Sequence, residues 1–143
     1  MTREPPKAIL DTSVVLAWVR GERGANTAKV MISQGAMSAV NLAEVLLRAK
    51  AKGYQDTLDQ LATDLENMGL TIIDFDAEQA AIIPYVDAAG QKFAREHASV
   101  DGTLSLADCA CIATGIHMGL PIFSDETLWV ALGLNGVTIS GFR

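Results

Sequence analysis

The feature that most restricts the fold of this chain is an alternation. Five short apolar runs occur along it: "AIL" (8–10), "AMSAV" (36–40), "LTIIDF" (70–75), "PIFS" (121–124) and "GVTIS" (136–140). Between them lie stretches with helical spacing: 13–20, 27–34, 41–52, 54–68, 76–89, 105–118 and 125–132. Neighbouring parallel strands need a crossover, usually a helix, to bring the chain back to the same end of the sheet. The alternation therefore predicts a three-layer α/β/α fold around a mainly parallel central sheet. Gly69 and Gly119 are natural helix stops, and Pro84 kinks or breaks the helix it lies in. Residues 90–104, "GQKFAREHASVDGTL", read as a long irregular or partly helical connection.

A length of 143 residues suits one domain, 1–143, with "MTREPP" (1–6) as a frayed terminus. Apolar residues make up 50% and charged residues 20%, the balance of a globular chain. No window approaches the ~18 unbroken apolar residues of a membrane span. Arg3 and Lys7 before an apolar run superficially resemble an export signal. Asp11 interrupts that run, however, and no small-x-small site precedes Arg20, so a cytoplasmic protein is expected. Cys109 and Cys111, two apart on a helix, point to different faces and have no third ligand nearby. They read as small buried thiols in a reducing compartment. A net charge of −6 argues against a general nucleic-acid binder. It does not exclude an enzyme that meets phosphate through a metal.

The acids are placed unusually. Asp11 breaks an apolar run just after "AIL", and a buried, unpartnered carboxylate is costly. Asp125 follows "PIFS". Ligands of open α/β sheets gather beyond the carboxyl ends of strands, where both would sit. "NLAE" puts Asn41 at a helix start with Glu44 three residues on, and "SLAD" repeats this with Ser105 and Asp108. Each pair has the spacing of a capping box, the plainest explanation of either alone. Together, four acids stand at element boundaries that one rim can collect. Two like charges ~4 Å apart repel by about 1 kcal/mol in water and about 4 kcal/mol at an effective dielectric of 20. Protonation or a cation would relieve such a cluster. Oxygen ligands without His or Cys favour Mg²⁺ or Mn²⁺ over Zn²⁺.

The segments "AILDTSVVLAWV", "SAVNLAEVL", "LSLADCACIATG" and "LPIFSDETLW" together resemble the PIN-domain ribonucleases, specifically the VapC-type toxins of toxin–antitoxin pairs. The resemblance runs from about Ala8 to Ile139. It implies a metal site of Asp11, Glu44 and Asp108, with Asp125 joining directly or through water. It implies accompanying hydroxyls at Thr12, Ser13 and Ser124, with Asn41 and Ser105 as caps and a supporting role open to Asn41. The family's last motif commonly reads T-x-D, where this chain has "FSDE". The implied activity is metal-dependent endonucleolytic hydrolysis of RNA with Mg²⁺ or Mn²⁺. The implied partners are RNA, a cognate antitoxin and a second copy of the chain in a homodimer, with no membrane.

An acidic protein still needs positive surface for RNA. Arg20 with Arg23, Arg48 with Lys50 and Lys52, and Lys92 with Arg95 are the basic clusters, each equally readable as a solvated face. Arg48, one turn beyond Glu44, would neutralise the acids or touch substrate, and Lys92 and Arg95 would line the entrance. Trp18, Phe93 and Trp129 are stacking candidates, although both tryptophans lie in apolar helical stretches that suit a core. His97 and His117 have no partner spacing and read as a loop residue and a helix-end residue. Two other readings compete. A Mg²⁺-binding receiver domain would want paired acids after the first strand and a Lys after a late one, and has neither. A PIN-like binding module without catalysis is opposed by four intact acids.

Overall fold

The computed structural model describes residues 4–51, 58–97 and 103–143. Its elements run β1 (Ala8–Leu10), α1 (Thr12–Val19), α2 (Ala25–Gln34), β2 (Gly35–Ser38), α3 (Ala39–Ala51), α4 (Leu58–Asn67), β3 (Thr71–Ile73), α5 (Ala77–Glu96), α6 (Leu106–Met118), β4 (Ile122–Phe123), α7 (Thr127–Ala131) and β5 (Ile139–Ser140). The five strands form one sheet in the order β3-β2-β1-β4-β5, and every pairing is parallel.

Period-two alternation sorts the strand residues between two cores. Leu10, Met37, Ile72 and Phe123 face a core built with α1 to α4. Ile9, Ala36, Ile73, Ile122 and Ile139 face a second core built with α5 to α7. Two apolar faces covered by helices make the three-layer α/β/α arrangement. Helix α1 buries Val14, Val15, Leu16 and Ala17 in succession, so it lies inside the fold rather than on it.

The chain leaves β1 toward β2 and β3, and later returns to β4 and β5 on the other side. The carboxyl ends of β1 and β4 therefore flank the point where strand order reverses, the place where open α/β sheets bind ligands. Asp11 follows one of these strands and Ser124 the other. Helix α6 reaches this rim by lying close on the sheet. A Cβ at Gly115 would come within 2.5 Å of Ile122, so only glycine allows the approach.

Several boundaries differ from expectation. The second strand ends at Ser38 rather than continuing through Val40. Helix α3 begins at Ala39, because the Ser38 hydroxyl takes up the Val40 amide (3.2 Å). Helix α5 runs through Pro84 to Glu96, past the end expected at 89, so residues 90–96 are the helical part of that connection. The helix expected from Tyr54 is described from Leu58. Residues 1–3, Lys52, the start of that helix and 98–102 of the expected connection lie outside the described residues. Lys7, by contrast, is tied to the strand edge by its amide on the Gln34 carbonyl (2.8 Å).

Candidate metal centre

Asp11 occupies the N-cap position of α1 but does not cap it with its side chain. The residue is 4% exposed, and its Oδ2 accepts the hydroxyls of Ser13 (2.9 Å) and Ser124 (2.9 Å). Both hydroxyls are fixed in turn: Ser13 Oγ accepts the Asp125 amide (3.0 Å) and Ser124 Oγ the Glu126 amide (3.0 Å). Two backbone amides after β4 thus orient two serines, which grip one oxygen of one acid. Burial pushes the Asp11 carboxyl up to about 6, against hydrogen bonds from Ser124, Ser13 and the Thr12 backbone, with the Asp108 charge adding to the rise.

Glu44 reaches the same corner from α3. Its Oε1 accepts the Thr12 hydroxyl at 2.6 Å, and its Oε2 pairs with Arg48 at 3.1 Å. Asn41 is not the N-cap of α3 but its third residue, so no N-x-x-E box forms and Glu44 is free to face Thr12. The Asn41 Nδ2 donates to the Ala107 carbonyl (3.1 Å), tying α3 to the start of α6, while its Oδ1 is buried without a donor. A buried acceptor left this way is costly.

Asp108 comes from α6, where the expected capping box is formed. Ser105 Oγ accepts the Asp108 amide (3.0 Å), and the Asp108 Oδ2 accepts the Ser105 amide (3.0 Å). Cys111, one turn along α6 from Asp108, is fully buried, and its thiol is pushed up by burial and then by the charges of Asp11, Asp108 and Glu44. One thiol therefore feels all three carboxylates. Burial likewise raises the Cys109 thiol to about 11, with Asp87 and Asp108 adding to the shift.

Asp125 differs from the other three. Its side chain is exposed and pairs with Arg143 (2.8 Å), whose hydrogen bond holds its carboxyl below the usual range. Helix α7 starts only at Thr127 with Glu126 as N-cap, so Asp125 is not its starting acid.

Each acid thus has a partner of its own. Among the described residues, no three His, Cys, Asp or Glu side chains converge closely enough to hold one ion. The donor set is nonetheless that of a hard cation: carboxylate oxygens from the end of β1, from α3 and from α6, with an orphaned buried carbonyl oxygen at Asn41 that suits a water donor. The partners of Glu44 and Asp108 are a hydroxyl, an exposed i,i+4 arginine and a cap amide, all of which water can replace.

A family model for the PIN domain matches residues 8–129. The chain belongs to the PIN domain family. The all-parallel sheet of this PIN domain superposes on solved structures at low identity. A toxin–antitoxin complex from Klebsiella pneumoniae gives a TM-score of 0.62 at 22% identity, covering 92% of this chain and 96% of that one. DNA-bound VapBC from Salmonella typhimurium gives 0.65 at 14% identity, covering 96% and 99%. VapC20 of Mycobacterium tuberculosis, described as a sarcin–ricin loop cleaving toxin, gives 0.62 at 15% identity, covering 92% and 99%. No curated protein matches the chain.

The remaining candidates fall further out. Arg48 stands beside Glu44 as expected. Lys92 and Arg95 lie on the last turns of α5, where Lys92 faces Glu96 (3.9 Å), and neither pairs with the acids. Phe93 stacks on His97 at 4.1 Å. Trp129 is buried in the core, and Trp18 packs partly buried against the other. His117 lies 3.7 Å from Glu78 and 4.0 Å from Asp76. Among the described residues, no helix is long and apolar enough to cross a membrane. The contact that sequence reasoning missed is Arg143 on Asp125. No local pattern announces it.

Proposed function

We propose that this PIN domain is a metal-dependent endoribonuclease, the toxin of a VapBC-type pair, that works in the cytoplasm. The observation that carries the reading is the setting of Asp11. A carboxylate is buried at the reversal point of the sheet and gripped on one oxygen by two oriented serines. Glu44 and Asp108 lie within electrostatic reach of the same thiol that feels Asp11.

In this reading Asp11, Glu44 and Asp108 hold Mg²⁺ or Mn²⁺, with Asp125 at the margin. Such an ion, when bound, polarises a phosphodiester and makes a water acidic enough to attack it. Ser13 and Ser124 keep the gripped oxygen of Asp11 fixed, so that Asp11 does not rotate when charge arrives. Thr12 holds Glu44 toward the rim, and Asn41 offers its free oxygen to a water there. One of the carboxylates takes the proton of the attacking water. Arg48 and, further out, Lys92 and Arg95 meet RNA phosphates. Among the solved structures it resembles are toxin–antitoxin complexes, which supports a protein antitoxin as partner. A homodimer is part of the same reading.

The test is cleavage of a mixed cellular RNA pool by purified protein in Mn²⁺. The expected result is discrete cuts that vanish in EDTA and in Asp11→Asn. Cuts that survive in the variant, or no cutting by antitoxin-free protein, would point instead to a PIN-like binding module.

A further inference from the structure

We propose that Arg143 is a positioning residue that withholds Asp125 from the cation site and thereby sets how tightly the site takes a divalent metal. The inference rests on the metal-site reading above and extends it to a residue which that reading leaves out.

The backbone of Asp125 is close to the centre. Its amide donates to Ser13 Oγ (3.0 Å), and Ser13 donates to Asp11 Oδ2 (2.9 Å). Its side chain nonetheless turns to Arg143, whose Nη2 lies 2.8 Å from Oδ2. The guanidinium is held in a socket. Its Nη1 donates to the Arg23 carbonyl (2.7 Å), both Nη atoms lie 3.5 Å from Glu22 Oε2, and it sits 5.1 Å over the Phe142 ring. The residue lies at the surface, but these contacts leave its side chain only 17% exposed. Gly24 floors the socket: with φ at +90°, a Cβ there would come within 3.2 Å of the Arg143 side chain. A loose surface ion pair has no such construction, and pairs of that kind contribute little.

The consequence is electrostatic. Paired with Arg143, Asp125 brings no net charge to the rim, and a cation meets three acids rather than four. Without Arg143 the carboxylate is released beside Ser13, within a side-chain rotation of the site. The metal should then bind more tightly, by about fivefold for one unit charge at a half-exposed rim.

The experiment is Mn²⁺ binding to the full chain, read from loss of the free-ion electron paramagnetic resonance signal. Arg143→Gln should tighten binding about fivefold, and Arg143→Lys should stay within about twofold of the parent chain. Arg143→Gln with Asp125→Asn should return to the parent value. Asp125→Asn alone leaves the Arg143 charge uncompensated at the rim and should weaken binding by about fivefold, short of the loss of a ligand. This variant keeps the test decisive if Arg143→Gln does not fold. Unchanged or weaker binding by Arg143→Gln, a gain that persists in the double variant, or a tenfold loss in Asp125→Asn overturns the inference. Asp11→Asn separates the two levels. If it abolishes binding while Arg143→Gln gains nothing, this inference alone fails. If the parent chain binds no Mn²⁺, or Asp11→Asn binds equally well, the metal reading fails with it.

Discussion

Replacing Asp11 with Asn should make the metal-free protein more stable at neutral pH. The Asp11 carboxyl is raised from 3.8 to about 6 by burial. Roughly two units at 1.36 kcal/mol each put the cost of its ionised form near 3 kcal/mol. Asn keeps an oxygen that can accept from Ser13 and Ser124, but it adds an NH₂ that needs its own partner. That offset, about 1–2 kcal/mol, leaves a net gain of about 1–2 kcal/mol. The pH dependence has a definite sign. The folded state binds the proton more tightly than the unfolded state, so the stability Asp11 contributes is fully present below pH 3.8. It is lost as pH rises through about 6 and changes little above. Urea unfolding of both proteins in EDTA at a series of pH values reads this directly. The difference in favour of the variant should grow between pH 4 and pH 6 and then level off. No gain at pH 7.5, or the same difference at pH 4 and pH 7.5, would refute the argument. Saturating Mn²⁺ should reverse the order, because only the parent chain gains from binding.

Other consequences follow from single contacts. Ser124→Ala removes a donor from a buried carboxylate and the acceptor of the Glu126 amide. It should cost about 1–3 kcal/mol at pH 7.5, measured by denaturant unfolding, and less at pH 4, where Asp11 is protonated. Gly115→Ala forces a methyl against the fully buried Ile122. A loss of about 1–3 kcal/mol is expected in thermal unfolding. Both thiols, buried and with raised pKa, should resist an alkylating reagent at pH 8 in the folded protein and react fully once urea unfolds it.

Much of this arrangement is legible in the sequence where local pattern and tertiary demand agree. The acid that breaks the apolar run after "AIL" does stand buried at the rim beyond β1, and S-L-A-D forms the box its spacing describes. Legibility fails where two local patterns compete. N-L-A-E has the spacing of a capping box, but Ser38 takes the cap. Helix α3 therefore starts two residues before Asn41, and Glu44 faces Thr12 instead of the backbone. The helix expected to end at 89 continues through a buried Gly90 to Glu96, and α5 packs on α6. Tertiary packing there outweighs the cost of glycine in a helix. Arg143 is the extreme case. It lies 18 residues from Asp125 and 120 from Arg23; the pairing of β5 with β4 brings it to Asp125, and the pairing of β4 with β1 brings in the turn after α1 that carries Arg23.

A metal-dependent nuclease needs Asp11 after β1, Glu44 on α3 and Asp108 on α6 to act as one centre. The most direct measurement is the rate of cutting at one mapped RNA site, in saturating Mn²⁺, by the parent chain, Asp11→Asn, Glu44→Gln and Asp108→Asn, each verified as folded. Loss of a catalytic metal ligand should lower the rate by at least about a hundredfold in every one of the three. Cutting at the parental rate by either Glu44→Gln or Asp108→Asn would contradict the shared centre, leaving those acids as the helix partners that Arg48 and Ser105 already provide.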